Sequence, residues 1–148
     1  MAEQRRSPES EPDPEPAVAP SDRESAYELL QRGETLSRRR HHAQAAIVLE
    51  RAARIEPGKG SILEPLGRAY HHSGQYERAR ETFQSLLEVD PSAHWAHFAL
   101  AESLRKLGRL REARTHLKLA VALSPRPELY RRAMERLDGP PRQTPGGT

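Results

Sequence analysis

The sequence predicts an all-α protein, an α-solenoid of three helical hairpins closed by a C-terminal capping helix. The main observation is a repeat, because Pro57, Pro91 and Pro125 follow one another at a step of 34 residues. Apolar residues between these prolines recur at helical spacing. A fixed period of this length is typical of stacked units that cannot bury their apolar faces alone. Five further sets of positions repeat at the same step: Gly33, Gly67 and Ala101; Leu36, Tyr70 and Leu104; Ala45, Ala79 and Ala113; Leu49, Phe83 and Leu117; Ile55, Val89 and Leu123.

The composition excludes several classes of protein. With 148 residues, of which 35% are apolar, the chain has room for one domain with a thin core. It contains no cysteine, which excludes disulfides and thiolate-bound metals. No stretch approaches the 18 consecutive apolar residues of a membrane span. The acidic stretch after Arg5 and Arg6 differs from the apolar core of an export signal, so we expect a cytoplasmic protein.

The formal charge of +3 combines an acidic start with a basic body. Residues 1–22 carry a net charge of −4, and the remainder carries +7. A basic body suits nucleic acid or acidic peptides as partners. The general use of arginine in place of lysine along this chain explains the same charge without any partner.

Both ends of the chain are predicted to be disordered tails. Residues 1–22 are acidic and rich in proline, and residues 139–148 are rich in proline and glycine. Neither segment has enough large apolar side chains to offset the entropy lost on ordering.

Between the tails, local signals mark each helix in turn. Ser25 with Glu28, and Ser61 with Glu64, are spaced as capping boxes that open the first helices of two hairpins. Turns with histidine, lysine and glycine end first helices, and each repeating proline ends a second helix. Helices of about a dozen residues joined by such short turns must lie antiparallel.

Side-chain size predicts how the helices pack. The small residues of the first helices, such as Gly67, are expected to lie close to alanines of the second helices, such as Ala79. Larger residues such as Phe83 then fill the space between pairs. After Pro125, a last amphipathic helix is predicted to cover the end of the stack with these apolar side chains: Leu129, Tyr130, Ala133, Met134 and Leu137.

The repeating residues also match a known family pattern. The middle unit carries Leu66, Gly67, Tyr70, Gly74, Tyr76, Ala79, Phe83 and Pro91 in register. The third unit matches through Leu100, Ala101, Gly108, Ala113, Leu117, Ala120 and Pro125, and the first through Leu29, Gly33, Leu36, Ala45, Leu49, Ala52 and Pro57. On these residues the chain resembles the tetratricopeptide repeat (TPR) family. It departs from the pattern at Arg32, at Arg40, where the turn glycine is usual, and at His97.

The resemblance implies a right-handed superhelix with defined units. These are repeats at residues 26–59, 60–93 and 94–127, followed by a capping helix at residues 128–138. It also implies that the first helices line a concave groove. The residues predicted to bind a ligand there are Tyr27, Arg38, Glu64, Arg68, His72, Trp95, Phe98, Glu102, Arg105 and Lys106.

Helical geometry supports the third part of this groove independently. At 100° per residue, Trp95, Phe98 and Glu102 share one face of their helix, nearly opposite the apolar stripe. Exposed aromatic side chains beside arginine are typical of a binding surface. The alternative is that Trp95 merely covers the preceding repeat.

No pattern in the chain predicts catalysis, a cofactor or a metal site. Phosphate-binding loops and nucleophile motifs are missing, and acids are scattered among basic residues as on a solvated surface. Among seven histidines, His94 and His97 are spaced to share an ion, but no third ligand is placed beside them. The family's clamp for a peptide carboxylate is not expected either, because its positions hold Leu30, Glu34, Pro65, Trp95 and Ala99.

The predicted function is therefore a non-catalytic adaptor or scaffold that binds a protein or peptide in its groove. Single-stranded RNA binding through the basic helical surface is one alternative, and self-association is another. The acidic tail from Glu9 to Pro20 is itself a possible occupant of the groove of its own chain. The partner, the pathway and the oligomeric state have no signature in the sequence.

Overall fold

The protein, in a computed structural model, is described from residue 24 to residue 139, and this part contains seven helices and no strand. The helices are α1 (Ala26–Arg38), α2 (His42–Ile55), α3 (Gly60–His72), α4 (Tyr76–Val89), α5 (His94–Lys106), α6 (Leu110–Leu123) and α7 (Glu128–Asp138). The predicted all-α solenoid is confirmed. The two predicted tails fall almost wholly outside the described residues.

Each helix packs mainly against its neighbours in the chain, so that α1 with α2, α3 with α4, and α5 with α6 form three successive hairpins. Contacts of α1 with α3, and of α3 with α5, bring the first helices of the hairpins together as one wall. These three helices run in the same direction because each is separated from the next by an antiparallel return. The six helices fall inside the predicted repeats, whose exact limits stay a prediction.

The turn inside each hairpin follows one backbone pattern. In the first, the Arg40 amide donates to the Ser37 carbonyl at 2.9 Å and the His41 amide donates to the Leu36 carbonyl at 2.8 Å. These two bonds define a Schellman motif, which needs one residue in the left-handed region. That residue is Arg40, with φ 66°, and its counterparts are Gly74 and Gly108.

Helix ends agree with the sequence signals at most positions. The Ser25 side chain accepts a hydrogen bond from the Glu28 amide at 3.1 Å, which confirms the first predicted cap. The second predicted cap is wrong, because α3 begins one residue before Ser61 and its cap residue is Lys59, which makes no side-chain bond. Local spacing allowed the capping box, but the chain entering from α2 starts the helix earlier.

The core has its largest side chains against the smallest. The nearest atoms to a Cβ built on Gly33 belong to Leu49, at 2.5 Å, and those nearest Gly67 belong to the Phe83 ring, at 2.6 Å. Because each glycine has no side chain, the large residue of its own hairpin packs directly against it. The sequence had predicted that the alanines would lie at these positions. Ala45 and its repeats are fully buried as well.

The capping helix α7 covers α6 and the end of the stack with four of the five apolar side chains expected. Leu129 is 55% exposed and does not cap anything, which corrects the prediction made for it. Tyr130 and Ala133 are buried, with Met134 and Leu137 half-buried against the core. None of the helices between residues 24 and 139 is long and apolar enough to cross a membrane.

Candidate functional site

Two adjoining cavities lie along the wall formed by α1, α3 and α5. The first cavity, of about 590 Å³, lies between α1 and α3 and reaches the start of α2; its lining is Glu34, Ser37, Arg38, His42, Ser61, Glu64, Pro65, Arg68, Ala69 and His72. The second cavity, of about 330 Å³, lies between α3 and α5; its lining is Arg68, His71, His72, Phe83, Trp95, Phe98, Ala99 and Glu102. Arg68 and His72 belong to both, so the two cavities form one groove.

Most of the predicted binding residues line these cavities: Arg38, Glu64, Arg68, His72, Trp95, Phe98 and Glu102. Three do not. Tyr27 is 66% exposed, and its hydroxyl accepts a hydrogen bond from Gln31. Arg105 pairs with Glu102 at 3.4 Å, and the Lys106 Nζ lies 5.9 Å from the centre of the Tyr76 ring.

Several lining residues lie outside the predicted binding set, namely Glu34, Ser37, His42, Ser61, Pro65, Ala69, His71, Phe83 and Ala99. His42 and Phe83 belong to second helices, whereas the resemblance implied a groove lined by first helices. The signal that could have found His42 is its place as the first residue after the turn, where a second helix still borders the groove.

The first cavity has charged groups of both signs along its length. Glu64 lies in the first half of α3, Glu34 and Arg68 occupy equivalent positions past the middle of α1 and α3, and Arg38 and His72 end these helices at the turns. Arg68 is held by Glu64 at 2.7 Å. The Arg38 guanidinium donates to the Thr35 hydroxyl at 3.1 Å and has no acidic partner among residues 24–139.

A proline in the wall of the first cavity changes the backbone there. Pro65 lies in the second turn of α3. Since proline has no N–H, the Ser61 carbonyl does not receive the usual helical hydrogen bond from four residues on. Both residues line the cavity.

The second cavity is mostly apolar. Trp95 and Phe98 are half-buried, and they pack against the buried core while also lining the cavity. The Phe98 ring lies 5.2 Å from the ring of Tyr130, so α7 supports this side chain from behind. Arg68 and Glu102 also line this cavity. An apolar side chain of a ligand could enter here with charged groups on either side.

Histidines surround the junction of the two cavities. The His72 ring is 4.8 Å from the His42 ring and 5.6 Å from the His71 ring, between ring centres. The His71 Nδ1 lies 3.1 Å from the Ser103 hydroxyl. Burial lowers the pKa of His71 and of His72, and neighbouring cationic groups lower both further. Both imidazoles are therefore neutral near pH 7.

The two histidines that were spaced to share a metal ion are otherwise engaged. His97 is buried, with its Nε2 2.9 Å from the Pro91 carbonyl and its Nδ1 3.0 Å from the His116 Nδ1. The His94 Nδ1 lies 2.7 Å from the Tyr130 hydroxyl. No group of three potential metal ligands occurs among the described residues.

Comparison with known proteins places these helices in a family. The sequence model described as "Tetratricopeptide repeat" matches residues 30–87 and 65–126, which together span more than half of the chain. The human protein O-mannosyl-transferase TMTC1 is 38% identical over 55 residues, which is 37% of this chain and 6% of that protein. Superkiller complex protein 3 from Mus musculus is 32% identical over 82 residues, 55% of this chain and 5% of that protein. The chain thus matches only a small part of these relatives.

Solved structures show the same fold at low sequence identity. The Sgt2 TPR domain from Aspergillus fumigatus has a TM-score of 0.70 at 21% identity, covering 76% of each chain. The first TPR of Spaghetti (RPAP3), bound to an HSP90 peptide, has a TM-score of 0.72 at 14% identity, covering 77% of this chain and 90% of that one. The Yersinia enterocolitica chaperone SycD, in complex with a peptide of the translocator YopD, has a TM-score of 0.65 at 20% identity, covering 76% of this chain and 86% of that one.

Proposed function

Because this chain belongs to the tetratricopeptide repeat family, we propose that it is a non-catalytic interaction protein that holds an extended peptide segment in its concave groove. The observation that carries the proposal is the continuity of the two cavities, which share Arg68 and His72 and follow the wall of α1, α3 and α5. An extended peptide could cross both. A cytoplasmic location stays a prediction.

The chemistry of the groove suits a peptide of mixed character. The second cavity offers Trp95 and Phe98, which would contact one large apolar side chain of the ligand. The first cavity offers charged groups of both signs to the polar groups of the peptide. Two proteins of the same fold were solved with a peptide bound, which supports this use of the groove.

The alternatives have less support in the cavities. Single-stranded RNA would bring its phosphates close to Glu34, Glu64 and Glu102, which line the groove and repel them. Self-association would require an apolar segment of a second copy that enters the same groove, and no feature of the described helices favours this over an outside peptide.

The proposal is tested by selecting ligands from a displayed library of random peptides with the immobilised full chain. Binding of a selected peptide is then measured by fluorescence polarisation with the wild-type protein and with Trp95→Ala and Phe98→Ala. We expect each variant to weaken binding about tenfold or more, as for central aromatic contacts in an interface.

Val89→Ala is the matched control, because Val89 is 62% exposed at the end of α4 and lines neither cavity. It should leave the affinity unchanged. Competition by homopolymer RNA at low salt would favour the RNA alternative. If Trp95→Ala and Phe98→Ala bind selected peptides as tightly as the wild type, the groove is not the binding site and the proposal fails.

A further inference from the structure

The turn between α1 and α2 contains a residue that its backbone does not favour. Arg40 adopts φ 66°, and the two equivalent turns have Gly74 and Gly108 at that point. A residue with a Cβ is disfavoured in the left-handed region, and arginine has no short polar group that offsets this. Glycine would adopt this backbone conformation at a lower cost in free energy. An outlier of this kind points to a role for the side chain.

The turn that contains Arg40 adjoins several basic side chains at one end of the first cavity, among them Arg38, Arg68 and the neutral His72. Burial lowers the pKa of His72, and Arg40 lies close enough to lower it further, as do His42 and Arg68. No acidic side chain pairs with Arg40 anywhere in residues 24–139. We call the following set the basic turn cluster: Arg38, Arg40, His42, Arg68 and His72.

Two acids, Glu34 and Glu64, line the first cavity together with members of this cluster. Glu64 is already paired with Arg68. Glu34 lies one helical turn before Arg38 on α1, and the two make no ion pair. Glu34 is at the position of α1 that Arg68 occupies in α3, and Glu64 lies one turn before that position. The cluster therefore has three arginines against two acids.

The N-terminus of α2 adds to the positive electrostatic potential at the basic turn cluster. Its cap residue, His41, makes no side-chain bond, and its first turn contains no acid. The equivalent helices α4 and α6 contain Glu77 and Glu112 in their first turns. The positive end of the α2 dipole is thus left without the usual acidic neighbour.

A second sign of an unfilled site is a polar atom without a partner. The Nδ1 of His42 is buried and has no hydrogen-bond partner among the described residues. Buried polar atoms nearly always have one, so each exception calls for an explanation. An anionic oxygen bound between His42 and His72 would supply an acceptor.

From these observations we infer that the basic turn cluster is an anion subsite, which binds a carboxylate or phosphate side chain of the peptide held in the groove. The statement that the anion belongs to a peptide rests on the proposed function. Binding of a free anion at the cluster does not depend on it. Guanidinium groups bind both anions through charge-assisted hydrogen bonds. The strained backbone of Arg40 is then the cost of placing one more guanidinium at the subsite.

The test follows the histidine ring signals of the full chain by NMR, with each signal assigned from a His→Gln variant. Two probes are titrated separately, N-acetyl-phosphoserine amide and N-acetyl-glutamate amide, against sodium chloride at matched ionic strength. We expect saturable shifts of His42 and His72 in the millimolar range, with His94 and His116 unmoved. Tighter binding of the phosphoserine probe identifies a phosphorylated side chain, and equal binding identifies a carboxylate.

Two substitutions sharpen the result. Arg40→Gly should weaken binding of the better probe about threefold to tenfold, while the melting temperature rises, because glycine suits φ 66°. Arg39→Gln is the control, since Arg39 lies one residue away with an ordinary φ of −85° and also loses one charge. This control should change neither the affinity for the probe nor the set of histidines whose signals shift.

The inference is overturned if neither probe gives saturable shifts, if all histidines shift alike, or if Arg39→Gln weakens binding as much as Arg40→Gly. These outcomes leave the peptide proposal standing, because selected peptides would still depend on Trp95 and Phe98. Conversely, saturable anion binding without any selected peptide would support the subsite and refute the proposed function.

Discussion

Phe83 lies directly against Gly67, so closely that a Cβ on the glycine would come within 2.6 Å of the ring. The ring is 1% exposed and therefore cannot move aside into solvent. This contact joins α3 to α4 behind the groove, because Phe83 also lines the second cavity. The packing of the second hairpin and the shape of its cavity thus depend on the same pair.

The first prediction concerns that pair. Gly67→Ala should lower the free energy of unfolding, because overpacking a buried ring costs about 1–3 kcal/mol and the gain in helix propensity returns only about 1 kcal/mol. Gly60→Ala is the matched control, since its Cβ would meet Leu86 at an ordinary 3.5 Å. Urea unfolding of both variants measures the difference. Equal stability of the two variants would show that the Phe83 ring can shift.

The second prediction concerns the capping helix. Tyr130→Ala should destabilise the protein by about 2–4 kcal/mol, because Tyr130 is buried and contacts both Phe98 and His94. Leu129→Ser should change the stability by less than about 0.5 kcal/mol, since Leu129 is exposed. Thermal melts with hydrogen exchange of α7 compare the two. Similar losses from both substitutions would mean that α7 docks differently.

The third prediction concerns pH. The pKa values of His71, His72 and His116 are lowered, mainly by burial, below the value of about 6.5 expected in the unfolded chain. Below pH 6.5 the unfolded state therefore binds more protons than the folded state does. The free energy of unfolding is highest above this pH and decreases as the pH falls. We expect a lower melting temperature at pH 5.5 than at pH 7.5.

The pair of His97 and His116 supplies a check on this pH dependence. The Pro91 carbonyl can only accept, so the His97 Nε2 donates to it, and in the neutral ring Nδ1 then accepts from the His116 Nδ1. His116→Gln keeps an N–H donor and removes one titrating group. Its melting temperature should fall less between pH 7.5 and pH 5.5. An identical fall would assign the effect to the other histidines.

The fourth prediction concerns the groove in the absence of a ligand. Trp95 is the only tryptophan of the chain and lines the second cavity, so its fluorescence reports on that cavity. We propose an outside peptide as the ligand, and deletion of residues 1–20 should therefore leave the emission maximum and quenching unchanged. A red shift with stronger quenching in the shortened chain would indicate instead that the acidic tail occupies the groove.

The sequence alone predicted the parts of the fold that depend on residues near one another in the chain. Pro57, Pro91 and Pro125 end the second helices, because proline disfavours a helical conformation in the residue before it. Ser25 caps α1, because its side chain reaches an amide only three residues away. The period of 34 residues then predicted the stack, and the resemblance to the repeat family implied which side of each first helix faces the groove.

Only the tertiary structure decided which side chains meet across helices. The period could not show that Tyr130, and not Leu129, contacts Phe98, since both are apolar and adjacent in the chain. Nor could it bring His42 against His72 from a different hairpin. These contacts depend on how far each helix is rotated about its axis, and neighbouring residues lie about 100° apart there. That rotation is set by the packing of all side chains between two helices, which no short stretch of sequence contains.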